Sequence, residues 1–306
     1  MTISLLYIIL VPLLSPLTIG IIRKVKACLQ NRRGAPVLQL YRDIRKLFHK
    51  DEVVSKDASW IFFIAPYILF ATTLLVAASL PLFGWHETFF GGDFLVVIYL
   101  FALGNFFLAL AGMDTGSPFG GFGSSREMTV AALSEAGLLF AFLTPALISG
   151  NTDIAAMTSG LAALPVAQWI LILIASIGFF IVFLAENARY PFDNPATHLE
   201  LTMIHEAMIL EYSGKRLALV EWAAANKLFL FAGLGVTLFW PVALPAVISF
   251  GSIVIGILLF LVKILIVVVG IGLLESSMAK IRFFRIPDLL FTSLIIGIIA
   301  LLIAIF

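Results

Sequence analysis

Eight apolar stretches recur along the chain, at residues 3–22, 60–83, 94–113, 127–149, 166–186, 225–248, 251–274 and 288–306, separated by segments that hold most of the charge. A helix rises about 1.5 Å per residue, so each stretch can cross the ~30 Å hydrocarbon layer of a bilayer. The pattern predicts an all-α, polytopic integral membrane protein organised as one transmembrane domain over 1–306. The first stretch, Ile3 to Ile22, has no charged region ahead of it and no small-residue cleavage site behind it, so it reads as a first transmembrane helix. One connection carries a different periodicity. Between Pro36 and Phe48, residues Val37, Leu40, Tyr41, Ile44, Leu47 and Phe48 fall on one helical face, with Arg42, Asp43, Arg45 and Lys46 opposite. That predicts an amphipathic helix along the membrane surface, serving either lipid contact or partner docking.

Composition agrees with the pattern. The 306 residues are 61% hydrophobic and 12% charged, with a mean hydropathy of +1.11. The single cysteine, Cys28, excludes an intrachain disulfide and cannot by itself hold an iron–sulfur cluster. Charge placement orients the chain. Ten basic residues lie between Arg23 and Lys56, and the other connections on that face carry Arg126, Arg189, Lys215, Arg216, Lys227, Lys280, Arg282 and Arg285. The opposite connections hold Glu87, Asp93 and Asp153 but no Lys or Arg. Positive residues favour the cytoplasmic side, so the expectation is that both termini lie outside and the two long polar loops, 23–59 and 187–224, lie inside.

Charge within or beside the spans marks the candidate chemistry, because an unpaired charge in hydrocarbon is costly and commonly functional. Glu127 and Glu135 are eight residues apart, about two turns on one helix face. Lys263 sits inside the seventh stretch, with Glu275 near its end. The loop after the fifth stretch gathers Glu186, Arg189, Asp193, Glu200, Glu206 and Glu211. Two readings stay open: ion pairs that fix helix packing, or carboxylates of raised pKa that pass protons. His198 and His205 are seven apart and would share a helical face, yet the spacing is not that of a zinc protease, so a hydrogen-bonding or proton-sharing role is expected and no metal site. The glycine-rich run Gly112–Gly123 lacks the Gly-Lys-Ser/Thr of a phosphate loop. It predicts a close-packed entry into a helix beginning near Ser124, capped by Ser124 or Ser125; Asp114 within it is a turn acceptor or a proton-path residue.

Several motifs together resemble a known family. Asn31-Arg32-Arg33-Gly34-Ala35-Pro36, Ser125-Arg126-Glu127, Glu186-Asn-Ala-Arg189-Tyr-Pro191-Phe192-Asp193 and Glu211-Tyr-Ser-Gly214, in this order among the spans, resemble the quinone-chamber membrane subunit of respiratory complex I. Gly112-Met-Asp114-Thr-Gly-Ser-Pro-Phe119, Tyr41-Arg42-Asp43-Ile44 and Glu275-Ser-Ser-Met-Ala279 are similar to the homologous subunit of energy-converting, group 4 membrane-bound [NiFe] hydrogenases and formate hydrogenlyases. The run from Asn194 to Glu206 departs from the complex I pattern, so quinone contacts are not carried over. The resemblance implies an anchor that makes no bonds itself, in the cytoplasmic membrane of a prokaryote. Its expected partners are hydrogenase large and small subunits, a ferredoxin-like iron–sulfur subunit and antiporter-like membrane subunits, with the iron–sulfur clusters and Ni–Fe centre on those partners; no nucleic acid is expected. By motif position it implies Glu127, Glu135, Glu186, Asp193, Glu200, Glu206 and Glu211 as an acidic path for protons or sodium, Lys263 as an internal cation, Arg126 and Arg189 as charge partners, and Asp114, His198, His205 and Glu275 as accessory groups. Arg32, Arg33, Tyr41, Arg42, Asp43 and Arg45 are the implied docking residues. A quinone-site subunit and a free-standing transporter remain the competing expectations, although the chain shows no repeated hydropathy halves.

Overall fold

The computed structural model describes residues 2–81, 92–162, 164–165, 168–194, 203–241 and 250–305. Eight helices among them are long and apolar enough to cross a membrane. They are α1 (Thr2–Leu29), α3 (Trp60–Ser79), α4 (Phe94–Asp114), α5 (Pro118–Ser149), α7 (Trp169–Glu186), α9 (Gly214–Leu238), α10 (Phe250–Ser277) and α11 (Ile286–Ile305). Three short helices complete the set: α2 (Gln39–Phe48), α6 (Ile154–Ala162) and α8 (His205–Ile209). The expected all-α membrane fold is therefore found, with α2 as the predicted amphipathic helix. Its Leu40 and Ile44 are buried on α1 and α9 while Arg42 and Arg45 face outward.

The boundaries correct the hydropathy reading at three places. Helix α1 runs on to Leu29 rather than ending at 22, and α9 begins at Gly214 rather than 225. Helix α5 begins at Pro118, so neither Ser124 nor Ser125 caps it. Polar residues end an apolar run without ending a helix; helices stop where the backbone requires it. For α5 those points are Pro118 in the first turn, where a missing N–H costs nothing, and Gly150 beyond the last turn at φ 68°.

Prolines inside α1 create a second kind of contact. Pro16 has no N–H to offer Pro12, and the freed Pro12 carbonyl accepts a hydrogen bond from Trp222 Nε1 of α9 at 2.8 Å. Nearby, Ser15 Oγ donates to Asn226 Oδ1 at 2.6 Å, and Asn226 Nδ2 donates to Thr73 Oγ1 at 3.1 Å, tying α1, α9 and α3 together in the core. Between transmembrane helices such polar ties supplement van der Waals packing, which small residues allow to be close. Helices α5, α7 and α11 meet in this way: a Cβ at Gly137 would lie 2.9 Å from Val182 and 3.0 Å from Ser293, whose Oγ donates to the Gly178 carbonyl at 2.9 Å.

The same logic explains the glycine-rich run. Gly120 meets the backbone of Gly112, and a Cβ on Gly123 would fall 2.8 Å from Ala207 and 2.9 Å from the Ile204 carbonyl. The first turns of α5 are thus seated against α8. Gly123→Leu is expected to displace α8 and the side chains it carries, costing about 1–3 kcal/mol as overpacking does. Thermal unfolding of the detergent-solubilised variant, compared with Gly121→Ala, where nothing lies within 4 Å of an added Cβ, checks this.

Candidate functional site

Several polar motifs turn out to brace the scaffold. Asp114, at the end of α4, accepts from the Ser59 and Phe62 N–H groups at 2.7 and 3.3 Å and so caps α3. In the Glu211–Gly214 motif, Tyr212 stacks on Phe62 at 4.1 Å and donates to its carbonyl at 3.0 Å. Ser213 exchanges hydrogen bonds with the Val53 backbone, and Gly214, at φ 53°, packs under Asp51 and Glu52 where a side chain would collide. Arg216 pairs with Glu52. Glu211 itself is exposed.

Those braces frame a cavity of about 520 Å³ between α1, α3, α4, α7, α8, α9 and α10. Its lining is partly apolar, with Ile19, Leu69, Leu108 and Leu228. Six of its charged residues fall into three ion-paired groups. In the first, the α7 terminus presents Glu186, whose Oε2 accepts from Lys227 Nζ at 2.7 Å and Asn105 Nδ2 at 2.9 Å. Ser134 of α5 donates to the other oxygen, and Lys227 also donates to Asn105 Oδ1 at 2.9 Å. Glu186 and Lys227 are each only 8% exposed, so this is a buried ion pair whose remaining lone pairs and protons are satisfied by two neutral side chains. Glu127 and Glu135, on α5, both lie within electrostatic reach of this pair.

The second group is a carboxylate shared by two cations. Arg189 Nη1 and Lys26 Nζ each lie 3.2 Å from a different oxygen of Glu275, and Lys26 also sits 4.7 Å from the centre of the Tyr190 ring. The third is Asp193, 3% exposed, which accepts from the backbone N–H groups of Asn194, Ile204 and His205 and pairs with Lys280. It pins both described ends of the 193–205 segment to one point.

Helix α8 adds two titratable groups to the wall. Burial, reinforced by the nearby Lys227 charge, pulls the His205 imidazole down to about 4, so it is neutral at pH 7. Burial, followed by the charges of Glu221 and Asp193, raises the Glu206 carboxyl to about 7, against a smaller opposing effect of Arg23. A carboxyl with a raised pKa holds its proton more tightly in the folded protein. Its stabilising contribution is complete below about 4.5 and is lost as pH rises through about 7. Accordingly, a carbonyl-region infrared titration should show a carboxyl band disappearing near pH 7 in the intact protein and missing in Glu206→Gln.

The structure brings together Glu127, Glu135, Glu186, Arg189, Asp193, His205, Glu206 and Glu275 from the sequence-derived set. His198 and Glu200 lie outside the described residues. Lys263 is elsewhere: its Nζ donates to the Trp240 carbonyl at 2.5 Å and it takes no part in the cavity wall. Arg126 bonds the Met203 carbonyl at 3.1 Å and lies 5.5 Å from the Phe283 ring, tying segments together without a carboxylate partner among the described residues. Of the docking set, Arg32, Arg33, Arg42 and Arg45 are exposed, Asp43 lies 3.6 Å from Lys46, and Tyr41 donates to the Leu13 carbonyl. Sequence reasoning missed Lys227, Asn105, Lys26 and Glu221. Lys227 was missed because it lies thirteen residues into an unbroken helix that begins earlier than hydropathy suggests.

A bundle of eight helices long and apolar enough to cross a membrane, around a cavity lined by paired charges, defines a polytopic all-α membrane protein. The chain belongs to the NADH dehydrogenase family, whose model matches residues 1–306. It is 37% identical over 275 residues to hydrogenase-4 component C of Escherichia coli (strain K12), covering 89% of this chain and 85% of that one. It is 33% identical to formate hydrogenlyase subunit 4 of the same organism, over 88% and 87% of the two chains. Among solved structures, a chain of the membrane-bound sulfane sulfur reductase, an archaeal respiratory membrane complex, superposes with a TM-score of 0.85 at 22% identity, covering 98% of both chains, which shows a shared fold.

Proposed function

We propose that this chain is the membrane anchor and coupling subunit of an energy-converting [NiFe] hydrogenase or formate hydrogenlyase-type complex. It carries no redox centre itself; the iron–sulfur clusters and the Ni–Fe centre reside on hydrogenase large and small subunits and a ferredoxin-like subunit, and antiporter-like membrane subunits adjoin it. The similarity to hydrogenase-4 component C and formate hydrogenlyase subunit 4 supports the complex. Lys/Arg enrichment in the long loops supports placing those loops at the cytoplasmic face and both termini outside.

The observation that carries the coupling role is the Glu186–Lys227 pair, which lines the cavity and lies within electrostatic reach of the α5 carboxylates Glu127 and Glu135. A carboxylate paired with an ammonium resists protonation; separating them makes it a proton acceptor. A redox event in the docked arm that shifts the 187–205 segment therefore changes proton affinity at Glu186, Glu206 and the acids beyond. Lys227 takes the role of internal cation expected of Lys263. Asp193 and Arg189 act as the pins through which the segment moves.

Purification of the affinity-tagged chain in mild detergent, mass spectrometry of its companions and a viologen-linked hydrogen-evolution assay test this. Nickel–iron hydrogenase subunits with hydrogen evolution support the assignment; their absence rejects it. The cavity favours one second reading, because its volume and partly apolar wall also suit an amphipathic ring compound such as a quinone. In that case the same preparation reduces added quinone.

A further inference from the structure

Three charged groups on the cavity wall stand outside its ion pairs. Glu186, Asp193 and Glu275 each hold a cation, whereas the carboxyls of Glu206 on α8 and Glu221 on α9 take part in no hydrogen bond or ion pair among the described residues. Arg23 of α1 lines the same cavity, is likewise without an ion pair among the described residues, and lies within electrostatic reach of both acids. Neither Glu221 nor Arg23 belongs to the Glu186–Lys227 pair.

Helix geometry sets where these groups stand. Val220, Glu221, Ala224, Lys227 and Leu228 of α9 all line the cavity, at the three- and four-residue spacing that places side chains on one helical face. Glu221 comes six residues before Lys227, about 9 Å along the helix axis. Helix α2 also packs on α9, and its Asp43, bonded by Gln39 at 3.0 Å and 3.6 Å from Lys46, lies within electrostatic reach of Glu221. Glu221 therefore stands where α2 approaches the cavity, with Glu206 of α8 as its acidic neighbour. The remaining charges facing the two acids are Arg189 beside Glu221 and Asp193 beside Glu206, and these already hold Glu275 and Lys280.

We propose that Glu206 and Glu221 share one proton across the cavity, with Arg23 as their common counter-charge, and that this trio is a proton-selective site on the α2 side of the cavity. The inference rests on the proposed coupling role and names its ion. Two carboxylates against one guanidinium leave a single negative charge. One proton from water neutralises it by forming an O–H bond at one carboxylate oxygen, and no electron moves. A sodium ion needs several oxygens converging on it, and the guanidinium, which keeps its charge throughout the physiological pH range, repels it. Arg23 is thus the residue that sets ion specificity, and Glu221 positions the proton on Glu206.

Infrared titration of the full chain in detergent, following the carboxyl band that is missing in Glu206→Gln, tests it. Glu221→Gln keeps the shape and removes the like charge, so the band should disappear at a pH lower by about one unit. Arg23→Gln removes the counter-charge and should move the midpoint the other way, and Arg23→Lys should bring it back. A merely structural role for either residue would alter thermal unfolding without these opposed shifts. Replacing potassium by sodium at fixed ionic strength should leave the midpoint of the unmodified chain in place and lower it in Arg23→Gln. An unmoved midpoint in Glu221→Gln overturns the shared proton; a midpoint that falls with sodium in the unmodified chain overturns the specificity. These readings need only this chain, so their failure is distinct from a failure to co-purify hydrogenase subunits, which would count against the proposed function.

Discussion

Lys227→Met is expected to abolish coupled ion movement and to destabilise the protein by about 3–5 kcal/mol, because it leaves Glu186 charged, buried and stripped of its cation. Ser134 and Asn105 would still donate to the carboxylate, but neither supplies charge. Glu186 would relieve the strain by taking a proton, which removes the difference in proton affinity on which the coupling depends. The double substitution Lys227→Met with Glu186→Gln removes both charges and is expected to recover most of the stability while leaving transport absent. Thermal unfolding in detergent, together with ion movement in reconstituted vesicles, reads both effects. Stability recovered together with transport would show the pair to be purely structural.

Asp193→Ala carries the second large effect. It removes the acceptor for the Asn194, Ile204 and His205 N–H groups and the partner of Lys280 in one step, at a site 3% exposed. Each buried donor left without a partner costs about 1–3 kcal/mol, and the Asp193–Lys280 ion pair is removed as well. The expected outcome is release of the 193–205 segment from the cavity wall, seen as faster hydrogen exchange at Ile204 and His205 and loss of the pH 7 carboxyl transition at Glu206. Lys280→Met should give a weaker form of the same change, since the backbone hydrogen bonds survive. Exchange rates unaltered in Asp193→Ala would contradict the pinning role.

The architecture was largely legible because hydrophobic length alone dictates a membrane crossing, and the alternation of apolar and basic faces dictated α2. What hydropathy could not see was helix continuing through polar residues. Counting α9 from Ala225 placed Lys227 at a membrane edge, whereas the helix starts at Gly214 and carries that lysine into the core. Starting the helix near Ser124 likewise read the glycine-rich run as a close-packed entry, whereas its second half is already α5, with Gly123 seated against α8. Partner choice between charges is also invisible in one dimension. Lys263 looked like the internal cation because it interrupts an apolar run, yet its ammonium is satisfied by the carbonyl of Trp240. Glu275 looked accessory, and it is the carboxylate that Arg189 and Lys26 share across 249 residues of sequence. The Glu186–Asp193 segment, singled out by motif, supplies one residue to each of the three charged groups.

The most direct measurement reconstitutes the affinity-purified complex carrying Glu186→Gln into sealed vesicles and follows hydrogen evolution and the internal pH together. The amide keeps hydrogen-bonding capacity towards Asn105 and Ser134 while removing the titratable charge. Hydrogen evolution near the unmodified rate with no pH gradient formed is expected, as chemistry on partner subunits runs uncoupled from the membrane. A gradient of unmodified size in the variant would contradict the claim that this chain couples the reaction through the Glu186–Lys227 pair.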